Sequence, residues 1–448
     1  MKIVIIGNGI SGITAARFIR KKSDASITVI SGETDYFFSR TALMYIYMGH
    51  MRFKDTQPYE PFFWKKNRIE LKRAYISSVD VQQKQLLTRD GEQISYDKLI
   101  LATGSAPNKF GWPGQDLNRV GGLYSFQDLE AMEAGSEGLR RAVIVGGGLI
   151  GLEMAEMFMS RGIPVTFLVR ERSYWDIVMP PEESEMISRH ILEHGIDLRL
   201  STELKEIVDD GKGNACAVIT NTGERIECGY VGLTAGVHPN IGFLKDSGIE
   251  MARGILVNEY LETNIPDVYA IGDCSEQRSP MEGRRSIEAV WYTGRMMGET
   301  LAHTICVKPT KYDPGIWFNS AKFLDIEYQV YGTVLTNAPA HHQSIYWEAP
   351  DGKKSIRIVY DKNDDTILGF NLMGVRYRHE VCDKWLRQKT HIGEVLKNLS
   401  LANFDPEFFH VYEKEVIRKY EKMSGKQIQK KKRGGLDAVV RFLRSSNA

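Results

Sequence analysis

Two glycine-rich segments hold the residues whose spacing points to a definite chemistry. Residues 7–12 read G-N-G-I-S-G and residues 146–151 read G-G-G-L-I-G, and each follows a short apolar run. In a G-x-G-x-x-G turn the first glycine allows a tight bend, the second lets the backbone approach a pyrophosphate, and the third lets a helix pack closely on a strand. The phosphate rests on unpaired N–H groups at the start of that helix. Two such turns predict two bound dinucleotides.

Charged residues follow each glycine turn at about the separation where a ribose is bound. After the first turn, the apolar run 27–30 is followed by Ser31 and then by Glu33. We expect Glu33 to bind a ribose; the alternative is a solvated loop glutamate. After the second turn, Glu171 would bind the free 2′-hydroxyl of NAD, whereas Arg170 and Arg172 would neutralise the 2′-phosphate of NADP. The pattern leaves both nucleotides open.

The elements that must position these turns form a repeated unit. Each unit is a continuous apolar run, a glycine turn, a helix-like stretch and a second apolar run, covering residues 3–30 and 142–169. Continuous apolar runs are typical of parallel strands that are buried on both faces. The sequence therefore predicts an α/β fold with two Rossmann-like dinucleotide-binding domains.

Three further segments complete the series of motifs. Residues 99–107 (L-I-L-A-T-G-S-A-P) and 234–240 (T-A-G-V-H-P-N) each place a glycine turn after an apolar run, and residues 263–274 end in I-G-D-C. In this order the motifs closely resemble the two-dinucleotide-binding flavoproteins, the pyridine nucleotide–disulfide oxidoreductase superfamily. The resemblance covers roughly residues 1–305. It implies an NAD(P)-binding domain inserted in an FAD-binding domain, followed by an α+β C-terminal domain.

The resemblance also implies roles for individual residues. Asp273 would hydrogen-bond the flavin ribitol from a helix N-terminus, where a carboxylate gains from the helix dipole; the alternative is an N-cap alone. Glu153, the one candidate catalytic side chain, aligns with a glutamate near the nicotinamide and the flavin; the alternative is an exposed helical glutamate. The implied FAD ligands are Gly7, Gly9, Ile10, Ser11, Gly12, Glu33, Arg40, Ile76, Ala102, Thr103, Gly104, Gly272, Asp273 and Trp291. The implied NAD(P) ligands are Gly146, Gly148, Leu149, Ile150, Gly151, Arg170, Glu171 and Gly236.

Redox cysteines mark the disulfide reductases of this superfamily, and this sequence lacks them at the usual places. No cysteine precedes Cys216, so residues 35–45, which follow the second strand, contain no sulfur nucleophile. Thiol–disulfide exchange needs a thiolate beside the flavin. We therefore expect Cys274 to be structural, and we expect the others to be isolated small apolar residues. These are Cys216, Cys228, Cys306 and Cys382.

Residues 38–43 (F-S-R-T-A-L) resemble an element of the branch without redox cysteines. That branch includes rubredoxin reductases, the flavin part of assimilatory nitrite reductases, ferredoxin reductases of oxygenase systems and apoptosis-inducing factor. Its Y-S-R-P-x-L element places the arginine along the FAD, so Arg40 is expected to offset pyrophosphate charge; the alternative is a surface ion pair. The chain departs from the element at Thr41 and Met44.

The segment after the G-D turn is expected to begin a second flavin-facing helix. By the same resemblance, a helix starting within residues 287–295 would direct its N-terminus at the flavin and stabilise negative charge on the reduced ring. Trp291 and Tyr292 are candidates for ring contact, with core packing as the alternative.

The rest of the chain is predicted as a third domain and a tail. We expect paired strands at 316–323 and 326–332, a hairpin formed by 355–360 and 366–372, and helices at 378–389 and 391–399. The predicted FAD-binding domain is 1–115 with 239–308, the NAD(P)-binding domain 116–238, the C-terminal domain 309–410 and the basic tail 411–448.

The tail carries eleven Lys or Arg against four Asp or Glu, which gives a net charge of +7. Leu436, Val439, Val440 and Leu443 would share one face of a helix. Such a segment can lie on an anionic membrane, dock an acidic electron carrier or pack on its own domain, and the sequence leaves these three readings open.

Composition excludes several classes of protein. With 58 basic and 57 acidic residues the net charge is +1, so no global field attracts nucleic acid. No run approaches the ~18 apolar residues of a membrane helix, and the start of the sequence leads us to expect no secretory signal. Five cysteines without a C-x-x-C pair argue against a thiolate zinc site, and we expect no metal. The expected location is the cytoplasm, or the inner membrane face if the tail binds lipid.

Together these features predict an FAD-dependent NAD(P)H oxidoreductase. Hydride would pass from NAD(P)H to FAD, and electrons would then reach an acceptor that meets the flavin directly, with an iron–sulfur protein as first choice. One alternative is a type II NADH:quinone reductase, which the tail favours but which this chain's lack of the glutamine-flanked quinone motif disfavours. The other is an NADH-responsive redox-sensing binding protein.

Overall fold

A computed structural model describes residues 1–404 and 410–428, and these residues pack as two compact units. Unit 1 comprises Met1–Arg170 and Ile196–Pro314. Unit 2 comprises Glu171–Gly195 and the described residues from Gly315 onward. The amphipathic stretch predicted around Leu436–Leu443 lies outside the described residues. Among the described residues, no helix has the length and apolar character needed to cross a bilayer.

The helices, numbered in chain order, are α1 (Ile10–Lys22), α2 (Leu43–Tyr47), α3 (Pro61–Lys66), α4 (Phe126–Gly135), α5 (Leu149–Ser160), α6 (Pro181–Glu193), α7 (Trp291–Cys306), α8 (His379–Arg387), α9 (Ile392–Lys397) and α10 (Glu413–Ser424). The strands are β1 (Lys2–Ile6), β2 (Ser26–Ser31), β3 (Ile69–Arg73), β4 (Ile76–Asp80), β5 (Gln85–Thr88), β6 (Gln93–Ser95), β7 (Lys98–Leu101), β8 (Ser105–Pro107), β9 (Val120–Gly121), β10 (Ala142–Val145), β11 (Val165–Leu168), β12 (Asp197–Arg199), β13 (Leu204–Asp209), β14 (Ala215–Thr220), β15 (Arg225–Glu227), β16 (Tyr230–Leu233), β17 (Val237–Pro239), β18 (Ile255–Val257), β19 (Val268–Ala270), β20 (Ser275–Gln277), β21 (Phe318–Phe323), β22 (Ile326–Gly332), β23 (His342–Glu348), β24 (Ser355–Asp361) and β25 (Ile367–Met373).

The first parallel sheet of unit 1 has the strand order β19-β7-β1-β2-β3. The apolar side chains of β1 from Ile3 to Ile6 are buried, as expected for a strand covered on both faces. Helix α1 packs against α7 so closely that a Cβ added at Gly298 would lie 2.7 Å from the backbone oxygen of Ser11. The predicted strand–turn–helix–strand unit at the start of the chain is confirmed.

The second parallel sheet of unit 1 has the order β12-β11-β10-β16-β9. Its central strands β10, β11 and β16 are buried along their whole length. Strand β10, helix α5 and strand β11 follow each other as the sequence predicts. Two Rossmann-like sheets are therefore present in one unit.

Unit 2 is built on an antiparallel sheet of order β21-β22-β25-β24-β23. The predicted strand pair is β21 with β22, and the predicted hairpin is β24 with β25. Helices α8 and α9 fall within the two predicted helical stretches. The helix expected within residues 287–295 begins at Trp291, and residues 287–290 before it are not helical.

Helix α6 groups with the antiparallel sheet of unit 2 rather than with the strands that flank it in sequence. A buried ion pair explains part of this grouping, since Arg357 of β24 binds Glu183 of α6 at 2.8 Å. The compact units therefore divide the chain differently from the five predicted segments given above, and those domain boundaries stay a prediction.

Candidate cofactor-binding site

The first glycine turn has the geometry expected of a pyrophosphate cradle. Gly7 has a φ of +114°, and a Cβ added there would lie 2.0 Å from the backbone oxygen of Ala102 at the end of β7. A Cβ at Gly12 would lie 2.1 Å from the oxygen of Gly7. At Gly9, by contrast, an added Cβ meets no atom within 4 Å in the described part of the chain. The middle glycine thus faces open space where a phosphate fits.

The second glycine turn repeats this arrangement. Gly146 has a φ of +115°, and its Cβ would approach the oxygen of Thr234 to 2.6 Å. A Cβ at Gly151 would lie 2.5 Å from the oxygen of Gly146, whereas one at Gly148 meets nothing within 4 Å among the described residues. Both turns therefore leave the same face of the backbone accessible to a dinucleotide.

The helices after these turns start in a way that suits an anion. Gly9 is the N-cap of α1 and Gly148 the N-cap of α5, so neither helix is capped by a side chain at that position. Neither helix has an acidic residue in its first turn. The predicted ligands Ile10, Ser11, Leu149 and Ile150 are the first two residues of each helix. Their backbone N–H groups have no intrahelical partner and carry the positive end of the dipole.

A short two-stranded ribbon joins the segments predicted to bind FAD and NAD(P). Strand β8 pairs antiparallel with β17, so Ser105–Pro107 lies against Val237–Pro239. The Thr103 hydroxyl donates to the backbone oxygen of Asn240 at 2.8 Å. The Asn108 N–H donates to the oxygen of Gly236 at 3.0 Å. The predicted FAD residues Ala102–Gly104 and the predicted NAD(P) residue Gly236 are therefore neighbours within unit 1.

Glu33 and Arg40 form a part-buried ion pair, with 2.5 Å between Glu33 Oε2 and Arg40 Nη2. The Phe126 N–H donates to the other Glu33 oxygen at 2.9 Å, and Arg40 also donates to the backbone oxygen of Tyr124. Glu33 is thus not a solvated loop residue, and Arg40 forms an ion pair that is part-buried, unlike the surface pair of the alternative. Their expected contacts with FAD stay predictions.

Asp273 lies next to this ion pair in a polar group that includes Tyr124 and Ser105. The Ser105 hydroxyl donates to Asp273 Oδ2 at 3.1 Å, and the Ser105 N–H donates to the Tyr124 hydroxyl at 2.7 Å. Asp273, expected at a helix N-terminus, lies in the short 3₁₀ turn Gly272–Cys274, and the long helix α7 starts only at Trp291. Gly272 itself abuts Ser11, since an added Cβ would lie 2.2 Å from the Ser11 hydroxyl oxygen.

The ionisation states of this group follow from its burial and its charges. Burial raises the pKa of Asp273 above its ordinary value, although the Ser105 hydrogen bond and the Arg40 charge oppose that rise. Burial, with the Asp273 charge, raises the pKa of Tyr124 to about 12. Burial lowers the pKa of Arg40, but its hydrogen bonds to Glu33 outweigh that effect and the net pKa is raised. Tyr124 therefore remains a neutral hydroxyl and Arg40 a cation at neutral pH.

The other predicted ligands lie on several different elements of the structure. Ile76 begins β4 in a separate sheet, β4-β5-β6, and packs half-buried against the unit 1 core. Trp291 is 38% exposed and stacks edge-on against Tyr292, so the core-packing alternative is wrong for Trp291. Glu153 lies half-buried on α5. Arg170 follows β11, and Glu171 is the first residue of unit 2.

Tyr124, Ser105 and Phe126 were missed by the sequence analysis. The Tyr124 carbonyl accepts from Arg40 across 84 positions of sequence, and Ser105 meets Asp273 across 168. No local motif marks such pairs, although Ser105 directly follows the A-T-G turn. Only the meeting of β8 with the G-D turn brings them together.

The positions of the cysteines agree with a structural role for Cys274, but two of the other cysteines are not isolated. Cys274 is buried, its Sγ is 3.5 Å from the oxygen of Leu101, and burial raises its pKa. The description of Cys216 and Cys228 as isolated is wrong, because they lie on β14 and just after β15, where the Cys228 N–H donates to the Cys216 oxygen at 3.0 Å. Burial raises the pKa of Cys228 to about 12, so this thiol is protonated at neutral pH.

Comparison with known families agrees with this geometry. The family model described as "Pyridine nucleotide-disulphide oxidoreductase" matches residues 1–297, which contain both glycine turns and the G-D turn. This chain belongs to that family. FAD and NAD(P)H are accordingly its coenzymes, and the open faces at Gly9 and Gly148 fit them.

This chain matches different fractions of the length of its relatives. The chain is 29% identical over 367 residues to nitrite reductase [NAD(P)H] of Bacillus subtilis, covering 81% of this chain but 43% of that protein. It is 31% identical over 362 residues to a 5,5'-dehydrodivanillate O-demethylase ferredoxin reductase subunit of Sphingobium, covering 80% of this chain and 86% of the relative. The fold is also similar to a NAD-dependent persulfide reductase from A. fulgidus, with a TM-score of 0.84, 23% identity, and coverage of 95% of this chain and 84% of that one.

Proposed function

We propose that this chain oxidises NAD(P)H at its FAD and passes the electrons singly to a small iron–sulfur protein. The balanced reaction is NAD(P)H plus two oxidised carriers giving NAD(P)⁺, two reduced carriers and one proton. When bound, FAD accepts a hydride from NAD(P)H and releases its two electrons one at a time. We place the reaction in the cytoplasm, where free thiols such as the five of this chain persist.

The observation that carries the proposal is the pairing of two open glycine cradles in unit 1 through the β8–β17 ribbon. The cradle at Gly9 would hold the FAD pyrophosphate, and the one at Gly148 the NAD(P)H pyrophosphate. Arg40 supplies positive charge beside the first cradle, and Asp273 with Ser105 offers acceptors to ribitol hydroxyls. Glu153, near the second cradle on α5, would contact the nicotinamide end. These residues bind and orient, while the coenzymes carry the electrons.

The acceptor is inferred from the chemistry that the chain lacks and from a relative. Residues 35–45 contain no cysteine, so electrons have no thiol relay there and the acceptor must approach the flavin itself. The Sphingobium relative is a ferredoxin reductase subunit. A [2Fe–2S] ferredoxin is therefore the acceptor to test first.

The choice between NADH and NADPH depends on consecutive residues after β11. Glu171 favours the free 2′-hydroxyl of NADH, while Arg170 and Arg172 favour the 2′-phosphate of NADPH. One carboxylate between two cations leaves both in contention, so the donor must be measured.

The test is an anaerobic titration of the purified yellow protein with NADH and with NADPH. Flavin absorbance should bleach with about one equivalent of the preferred nucleotide. Adding an oxygenase-type [2Fe–2S] ferredoxin should then give steady turnover, on the order of 10 per second. A colourless protein that cannot be loaded with FAD would refute the assignment of coenzymes. Reduction that stalls after one turnover with ferredoxin and with artificial dyes would favour the redox-sensing alternative.

The charge of the tail favours a second contact. A net charge of +7 over residues 411–448 suits an acidic carrier, and it suits an anionic membrane as a quinone reductase would require. We propose the acidic carrier as its partner.

A further inference from the structure

Three side chains of the types that bind transition metals meet in unit 2, apart from the coenzyme motifs. His190 and His194 lie at the C-terminal end of α6, and Asp325 lies in the turn between β21 and β22. His190 Nε2 contacts Asp325 Oδ1, and His194 Nε2 is 3.6 Å from the same oxygen. The three potential ligand atoms all lie within 4.8 Å of one another.

The helix presents both imidazoles on one face. A spacing of four residues is about one helical turn, so His190 and His194 stack along the same side of α6. Their ring centroids are 4.3 Å apart. The Nδ1 atom of His194 lies 2.9 Å from the backbone oxygen of His190. Since a carbonyl can only accept, that Nδ1 carries the proton and the Nε2 lone pair is left for a metal.

His190 is the buried member of the cluster, with 1% of its surface exposed. Its Nδ1 atom has no hydrogen-bond partner among the described residues, yet Glu193 Oε2 is only 3.7 Å away. Metal-bound histidines usually donate their second N–H to a carboxylate, which orients the ring and raises its basicity. In the structure His190 Nε2 faces the Asp325 carboxylate and carries the proton. A metal on Nε2 would move that proton to Nδ1, and the resulting N–H would have Glu193 as a nearby acceptor.

Asp325 reaches the histidines from a two-residue turn. Phe323 pairs with Ile326, so Leu324 and Asp325 alone connect β21 to β22, and Leu324 has a φ of +56°. The Asp325 side chain is 59% exposed, and its carboxylate offers an oxygen ligand to a metal at this turn.

We propose that His190, His194 and Asp325 bind a divalent transition-metal ion, best matched by Zn²⁺, which fastens α6 to the β21–β22 turn. Two imidazoles and one carboxylate are a ligand set that zinc accepts, with water in the fourth position. Calcium and magnesium prefer all-oxygen sites, so they suit this cluster poorly. The sequence expectation of no metal considered cysteine spacing, and a histidine pair with a distant aspartate escapes that pattern.

The test measures zinc binding to tag-free, full-length, FAD-loaded protein after removal of metal with a chelator. Titration calorimetry should show about one Zn²⁺ per chain, and millimolar Mg²⁺ should not compete. His194→Ala, at a part-exposed position, and Asp325→Asn, at an exposed one, should each weaken zinc binding at least roughly tenfold. Glu193→Gln should weaken it by about tenfold. Zinc should raise the melting temperature of the unaltered protein but not of His194→Ala.

Two matched controls separate this site from other zinc ligands. His50→Ala removes an exposed histidine that stacks on Tyr45, and Cys216→Ser removes the more accessible thiol of the Cys216–Cys228 pair. Both variants should bind zinc as the unaltered protein does. Equal zinc affinity in the unaltered protein, His194→Ala and Asp325→Asn would overturn the proposal. So would an absence of zinc binding in the unaltered protein, because the cluster would then be only a His190–Asp325 ion pair.

Discussion

At the scale of single residues, two glycines of the first cradle are needed for different physical reasons. A Cβ at Gly12 would overlap the backbone oxygen of Gly7 at 2.1 Å, so Gly12 is required by the packing of α1 on β1. A Cβ at Gly9 would point into open space, and the backbone there has an ordinary φ of −69°. Gly9 is therefore dispensable for folding and is required only when a pyrophosphate approaches the backbone.

This distinction predicts opposite phenotypes for two neighbouring substitutions. Gly9→Ala should change the unfolding free energy of the apoprotein by less than about 1 kcal/mol, while weakening FAD binding because the methyl group occupies the phosphate position. Gly12→Ala should lower the melting temperature of the apoprotein itself, because backbone must move to relieve the overlap. Thermal unfolding with and without FAD measures both effects. Equal loss of apoprotein stability in the two variants would contradict this account of Gly9.

At the scale of elements, α6 shows how a buried charge network joins a helix to a sheet. Arg357 on β24 donates to both oxygens of Glu183 at 2.8 Å and to Glu182 at 2.6 Å, and Asn371 of β25 donates to Glu183 at 3.1 Å. The Glu183 side chain is fully buried and that of Arg357 is 7% exposed. Desolvation makes the intact pair of modest net value, but it makes the loss of one partner costly.

Arg357→Ala should therefore loosen α6 strongly, by about 3–5 kcal/mol in local opening free energy, because Glu183 is left buried without a counter-charge. Arg376→Ala is the matched control, since Arg376 pairs with Glu327 of the same sheet at a half-exposed position. The Arg376→Ala change should lower the free energy of local opening by no more than about 1 kcal/mol. Amide hydrogen exchange in α6 and β24 reports the opening of this region alone. Similar exchange in the two variants would mean that the buried network does not hold the helix.

Elements and motifs differ in how far sequence predicts them. The β1–α1–β2 and β10–α5–β11 units were predictable because apolar runs and glycine turns are local signals. The Tyr124–Ser105 contact was not predictable, because its members are 19 residues apart on different elements. The grouping of α6 with the antiparallel sheet depends on the Glu183–Arg357 pair, whose members are separated by 174 positions. The contact between His190 and Asp325 was not predictable for the same reason, because these residues are 135 positions apart.

At the scale of the whole molecule, charge is distributed very unevenly along a nearly neutral chain. The net charge is +1 in total and +7 in residues 411–448, which leaves −6 for residues 1–410. An acidic carrier would be repelled by the net charge of the first part and attracted by the tail. Attraction between opposite charges speeds encounter and weakens with salt, since the Debye length falls to about 8 Å at physiological ionic strength.

Ending the chain at Gly425 removes seven Lys or Arg and one Asp, a net charge of +6. The KM for an acidic [2Fe–2S] ferredoxin should then rise by about tenfold at low salt and lose its salt dependence, because the steering charge is gone. Reduction of the flavin by NAD(P)H should be unchanged, since that step uses the cradles of unit 1. A full-length variant with Lys430, Lys431, Lys432 and Arg433 changed to Gln controls for chain length and should shift KM in the same direction. The opposite outcome is that KM is unaltered and that the full chain, but not the shortened one, sediments with anionic vesicles. The tail would then bind a membrane surface, which would favour the quinone reductase alternative over the acidic carrier.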